Sequence, residues 1–377
     1  MIEKTLNKEY MDLVKDQREN EEELFSKDNV VGIAIGNKWK EGKDTGEKAF
    51  QVLVQHKLEA DLLSKNDIVP KTIKGTKTDV IEVGQIVAGP LAPDIEPMTQ
   101  TNYGSDGGDI SDWNMREELD EILTEQEERL PSAIRRRHAR RRPVPSMEIS
   151  PEQLHQKTRP VMGGYSIGHY KVTAGTIATA CYDAGKVPGI PEQFYVLSNN
   201  HILANNNNAN MGDPILQPGK YDGGTYPRDM IGRLSRFVPL RFQTSRSTPT
   251  NYVDAAIAEV PFHLANREIY WLGYVKGINA TPKIGDLLQK VGRTTNFSTG
   301  RIQSVNATVD VNYGNGRVAR FSHQILTTRM SAGGDSGSLA TTLNEDAVGL
   351  LFAGSPYISV FNHILYVQSL LNIRIHE

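Results

Sequence analysis

From Gly163 to the C-terminus the sequence is a succession of short apolar runs cut by glycine, proline and asparagine. Examples are 171–180, Phe194-Tyr195-Val196-Leu197, Ala255-Ala256-Ile257-Ala258-Glu259-Val260, Gly300-Arg301-Ile302-Gln303-Ser304-Val305, 321–327 and Ala347-Val348-Gly349-Leu350-Leu351-Phe352. Each is too short for a helix of ordinary length, and turn residues bound each one. Many such runs at this spacing specify a mainly β fold, a sandwich or a pair of barrels. A helix is expected only at the end, over 362–371, with Asn362 as its N-cap.

The first 160 residues read differently. Apolar positions Ile2, Leu6, Tyr10, Leu13, Val14, Leu24 and Phe25 among many charges predict an amphipathic helix that docks on its own domain. Three strands follow, at Val30–Gly36, Phe50–His56 and Val80–Val83, so residues 1–88 read as a small N-terminal α+β domain with a leading helix. Gly36 through Gly42-Lys43-Asp44 is no phosphate loop: the glycine spacing is one residue too long, and Asp44 stands where a hydroxyl should meet magnesium. Residues 89–160 combine breakers at Pro90, Pro93 and Pro97, an acidic helix candidate from Met115 to Leu130, and the basic run Arg135–Pro143. This stretch reads as a charged, partly disordered linker. Residues 161–377 form the remaining domain.

Composition removes several classes of function. A net charge of −3 gives no reason to expect nucleic acid as a partner. No run approaches the roughly 18 apolar residues of a membrane span, and the charged N-terminus contains no secretory h-region. The single cysteine, Cys181, excludes an intrachain disulfide and fits a reducing compartment, so a cytoplasmic location is expected. No His-Glu-x-x-His or cysteine-rich pattern marks a metal site, and no cofactor is expected. Asn205–Asn208 reads as a mobile loop, not a ligand cluster.

The chemistry lies in three separated segments. Ser331-Ala332-Gly333-Gly334-Asp335-Ser336-Gly337-Ser338 places a serine on a tight glycine turn, Ser198-Asn199-Asn200-His201 supplies a base, and Val253-Asp254-Ala255-Ala256 an acid. A serine hydroxyl is a poor nucleophile until an adjacent base, oriented by a third group, takes its proton. The chain order His, Asp, Ser is one of three unrelated solutions to that geometry. Asp213, Asp222, Asp229 and Asp286 are rivals to Asp254 for the acid, and the other eight histidines read as surface or core residues.

The stretch from Gly163 resembles the chymotrypsin-like (trypsin-fold) serine proteases, and within them the bacterial and plant NARROW LEAF-type branch. The resemblance is carried by Leu197–Ala204, Gly212–Gly219, Val291-Gly292-Arg293-Thr294-Thr295, Gly334-Asp335-Ser336-Gly337-Ser338 and Gly349–Ser355. It implies a double β-barrel with the site in the cleft. It also implies Ser336 as nucleophile, His201 as general base, Asp254 as its orienting acid, and the Gly334 and Ser336 amides as an oxyanion hole. Met330 would line the base of the specificity pocket, and Phe352, Ala353 and Gly354 would pair with substrate backbone. An uncharged methionine there argues for apolar or medium-sized side chains over lysine or arginine. No activating cut is expected before Val161-Met162-Gly163-Gly164.

The expected activity is therefore serine endopeptidase on protein or peptide substrates, with self-association of the chain as a further expectation. A catalytically weak protease-fold scaffold and an esterase of the same mechanism are the alternatives.

Overall fold

The computed structural model describes residues 10–40, 42–89, 151–185 and 193–376. The acidic helix candidate and the basic run lie outside the described residues. The protein is mainly β, and its strand pairings close into two rings.

In the first ring, Ser166–His169 pairs with Gly175–Thr176, and the chain continues through Ile177–Thr179 into Ala180–Asp183. That strand pairs with Phe194–Ser198, then follow Ala256–Val260, Met230–Phe237 and Pro214–Leu216, which returns to Ser166–His169. The second ring runs Leu287–Gly292, Asn296–Asn312, Val318–Thr328, Ile358–His363, Asp346–Gly354, Leu339–Thr342 and back to Leu287–Gly292. Closure leaves no exposed edge inside either ring, which is how antiparallel sheets of many short strands avoid edge-to-edge association. Alternate residues point inward. In the first ring Leu197, Ile257, Leu234 and Ile215 meet in one apolar core, which also takes Ile364, Val367 and Leu371 of the C-terminal helix. That helix is Ile364–Leu371, and its N-cap is His363, one residue past the expected Asn362; the His363 ring accepts from the Leu365 amide.

The N-terminal strands extend the second ring's sheet. Val30–Lys40 pairs antiparallel with Asn296–Asn312, with Gly32 opposite Val309 and Ile35 opposite Val305. Lys43–Val54 lies next, followed by Thr76–Glu82 in parallel. Gly36 belongs to this strand for a steric reason: a Cβ there would fall 2.2 Å from the Gln51 amide, which bonds Ser304 across the sheet. The helix Met11–Phe25 docks as expected from its pattern, burying Leu24 beside Ile33, Ile35 and Phe50. Its Gln17 amide is buried and donates to the carbonyls of Ile33 and Asn306 at 3.2 and 3.0 Å. The described residues of Met1–Lys38, Gly46–Glu96 and Pro151–Glu377 thus make one compact unit; the hairpin tip Trp39–Thr45 groups apart from it.

Candidate functional site

His201 sits in a single helical turn, Asn200–Leu203, directly after the strand Phe194–Ser198. The neighbouring strand Ala256–Val260 pairs Ala256 with Ser198, so Asp254 emerges beside the turn. The Asp254 carboxylate is fully buried. Its Oδ2 lies 2.6 Å from His201 Nδ1, and its Oδ1 accepts from the His201 amide at 3.1 Å. A carboxylate can only accept, so Nδ1 carries a proton, and in the neutral ring Nε2 is left as the acceptor. His201 Nε2 is buried and has no hydrogen-bond partner among the described residues.

Three further groups complete this corner, of which Tyr313 was not singled out in the sequence. Tyr313 donates its hydroxyl to Asp254 Oδ2 at 2.7 Å, and burial together with the Asp254 charge pushes the phenol far above its ordinary range, keeping it a donor. Asn362 Oδ1 accepts from the Asp254 amide at 2.9 Å. Asn199 donates to the Asp254 carbonyl at 2.7 Å. Asn200 in turn bonds Val238 and Asn207. Asn205, Asn206 and Asn207 all adopt left-handed backbone, a conformation asparagine tolerates better than other side chains, and Asn207 bonds both backbone groups of Leu240. The asparagine run is therefore a hydrogen-bonded bracket holding the turn.

The rival aspartates are engaged elsewhere. Asp213 meets His169 at 3.0 Å, Asp222 pairs with Arg293, Asp229 with Lys157, and Asp286 accepts from the Lys283 amide.

Ser336 lies on the loop between Val318–Thr328 and Leu339–Thr342. Gly334 and Gly337 both have left-handed backbone. A Cβ on Gly337 would fall 2.1 Å from the Thr176 carbonyl and 2.3 Å from Ser198 Oγ, so this loop closes against the first ring only as glycine. The Thr176 amide donates to Ser336 O at 2.7 Å, and Ser198 Oγ donates to Thr176 O at 2.7 Å. The loop of the second ring is thereby stitched to the strand that leads into His201. Thr294 Oγ1 donates to the Gly333 carbonyl at 2.8 Å; in a trans peptide the Gly334 N–H then points the opposite way, away from Thr294. Neither the Gly334 nor the Ser336 amide has a partner among the described residues.

Asp335 is buried in full and holds the loop from behind. Lys290 Nζ reaches it at 3.0 Å, Thr295 Oγ1 at 2.7 Å, and the amides of Ala332, Thr294 and Thr295 at 2.9–3.1 Å. Burial alone would raise this carboxyl, but the Lys290 ammonium and these donors hold it below the usual carboxylate range. The cation facing Asp335 thus comes from inside the strand Leu287–Gly292. Val161 is itself buried, in a strand paired with Ala265–Ile269.

A cavity of about 30 Å³ adjoins Ser336, lined by Ser331, Ala332, Gly333, Leu351, Ala353 and Gly354 among others. The side chains of Met330 and Phe352 are both buried. Met330 packs with Leu288 and Ile302 in one apolar core, and Phe352 with Phe321 in another. Among the described residues no cluster of histidine, cysteine or acidic groups could hold a metal ion, and no helix is long and apolar enough to cross a membrane. Cys181 is free and buried.

No protein-family model matches the chain, and no protein of curated function is significantly similar to it. Solved structures similar to it include Thermobifida fusca Protease A, at 18% identity and TM-score 0.40, covering 57% of this chain and 97% of that one. The Nocardiopsis protease aligns at 19% identity and TM-score 0.40 over 58% of this chain and 99% of that one. Cellulomonas bogoriensis chymotrypsin aligns at 17% identity and TM-score 0.38 over 57% of this chain and 97% of that one. At such scores the functional reading stands on the chain's own geometry.

Proposed function

We propose that this chain is a serine endopeptidase of the chymotrypsin-like fold, in the NARROW LEAF-type branch, acting on protein or peptide substrates. The observation that carries the reading is the buried His201–Asp254 contact with an unpartnered Nε2, set in the ring to which the Ser336 loop is stitched. In this mechanism His201 Nε2 takes the Ser336 proton while Oγ attacks the scissile carbonyl. The oxyanion that develops faces the Gly334 and Ser336 amides, a type of contact worth roughly 3–4 kcal/mol per donor. Collapse breaks the C–N bond, His201 returns the proton to the leaving amine, and an acyl group stays on Ser336. Water, deprotonated by the same ring, then releases it.

The uncharged lining of the cavity, with Ala332, Leu351 and Ala353, favours apolar side chains of small or medium size in the substrate. The single buried thiol is compatible with work in a reducing, cytoplasmic setting.

A fluorophosphonate probe tests the reading directly. Labelling of the native chain should vanish in Ser336→Ala and in His201→Ala, with peptide hydrolysis lost in parallel. A folded chain that neither takes the probe nor cleaves a peptide library would leave the scaffold reading in its place.

A further inference from the structure

Beyond the strand Thr76–Glu82 the chain turns at Gly84, whose backbone is left-handed, and runs on as Ile86, Val87, Ala88 and Gly89. Ile86 is buried with Phe352, Ile358 and Val360. The Val87 amide then donates to the Gly354 carbonyl at 3.0 Å, and the Gly354 amide donates to the Val87 carbonyl at 3.0 Å. On its other side Ala88 N–H reaches the Asn312 carbonyl at 3.0 Å, and Asn312 N–H reaches the Ile86 carbonyl at 2.9 Å. Gly89 arrives at the same small cavity as Ser336.

A reciprocal pair of backbone bonds at one residue is how an extended peptide adds to a sheet edge. Gly354 is the residue to which the protease reading assigns substrate backbone, and both its backbone groups are already taken. Val87 and Gly89 line the cleft beside Ser336, on the side where a paired substrate strand would lie. The occupant also has a graded hold: Ile86 is buried, while Val87, Ala88 and Gly89 are only half-buried. That is the profile of an anchored strap with a releasable end.

We propose that residues Ile86–Gly89 occupy the substrate-pairing edge as an internal peptide, so that the chain is self-inhibited until an external peptide displaces them. The inference rests on the protease reading, because that reading makes the Gly354 edge a substrate site. It also specifies the competitor: an extended peptide with small apolar side chains, like the Val-Ala-Gly it replaces.

The test uses the full chain carrying Ser336→Ala, so that nothing is hydrolysed, and a fluorescent Gln-Ile-Val-Ala-Gly peptide as probe. Adding Val87→Pro removes the donor to Gly354 and sets the ring against pairing. Loss of one such bond should tighten probe binding by about tenfold. Equal affinity for both chains, or no binding to either at millimolar peptide, overturns the proposal. Where Val87→Pro does not fold, amide exchange in the Ser336→Ala chain decides. Probe should speed exchange at Val87 and Ala88 and leave Gly354 protected, and unchanged exchange at Val87 rejects the strap. Fluorophosphonate labelling of the native chain separates the two readings. Labelling without strap release removes only the self-inhibition, and strap release without labelling removes only the protease chemistry.

Discussion

Asp254 accepts hydrogen bonds from groups 53 and 59 residues away in sequence, His201 and Tyr313, and its own amide is tied to Asn362, 108 residues on. The carboxylate is fully buried and serves both donors itself. Both donors converge on Oδ2 while Oδ1 accepts from the His201 amide, so an asparagine, with one acceptor oxygen, must turn its NH2 group toward a donor on one side or the other. On the protease reading, Asp254→Asn should retain the fold and lower kcat by about 10⁴, checked by steady-state kinetics beside a melting curve. Tyr313→Phe removes a single charge-assisted bond and leaves His201 its acceptor. A fall in kcat of about tenfold with KM nearly constant is the expected outcome, and an unaltered kcat would show that the phenol does not position Asp254. The His201–Asp254 pair and the turn at Ser336 were legible in the sequence because each carries a local signature: an apolar strand before His201, another after Asp254, and glycines around Ser336. Tyr313 was not, because its partner is fixed by how the second ring meets the first. Met330 and Phe352 were assigned by resemblance to the base of the pocket and to the substrate-pairing strand, and the apolar cores that take their side chains were not legible from that resemblance.

At the scale of single elements, the strand Leu287–Gly292 carries a lysine where its pattern has room only for an apolar side chain. Lys290 is fully buried and answers Asp335, 45 residues away. Removing one partner of such a pair strands the other charge, which typically costs about 3–5 kcal/mol. Lys290→Met should therefore lower stability by that amount in denaturant unfolding, and a change within 1 kcal/mol, roughly, would show that the pair is dispensable. The C-terminal helix gives a pH dependence with a definite sign. Burial, with His323 nearby, pushes the His363 imidazole down to about 4, and its Nδ1 accepts from the Leu365 amide only while unprotonated. The folded state thus binds this proton less readily than the unfolded chain, whose histidine titrates near 6.5. Its contribution is complete above about pH 6.5 and is lost progressively as pH falls toward 4, in total roughly 3 kcal/mol. Asparagine also caps helices but does not titrate. In His363→Asn the loss of stability between pH 6.5 and 4 should be visibly shallower than in the native chain, followed by thermal melts across that range.

For the whole molecule the question is what the N-terminal strands contribute. Their apolar spacing announced strands, but not the sheet they would join, since alternation sets which face is buried and says nothing of the partner. The pairing of Gly32 with Val309 and Ile35 with Val305 joins them to the second ring, and Ile33, Ile35, Phe50 and Val52 share one core with Leu288, Ile302 and Ile325. Four such side chains, at about 1.5–3 kcal/mol each, amount to roughly 6–12 kcal/mol of burial. That is the size of the entire net stability of an ordinary domain. A chain beginning at Pro151 would uncover Leu288, Ile302 and Val305, expose the edge of Asn296–Asn312, and lose the strap as well. Calorimetry should find one cooperative transition for the full chain, whereas the shortened chain should melt at least about 15 °C lower or aggregate. If it instead melts at the native temperature, the rings are self-sufficient and the N-terminal strands serve only to carry residues Ile86–Gly89 to the cleft. Separating those roles needs a chain with strands intact and the strap weakened, which is what Val87→Pro supplies: full stability with a more accessible Gly354 edge would assign the strands to folding and the strap to regulation.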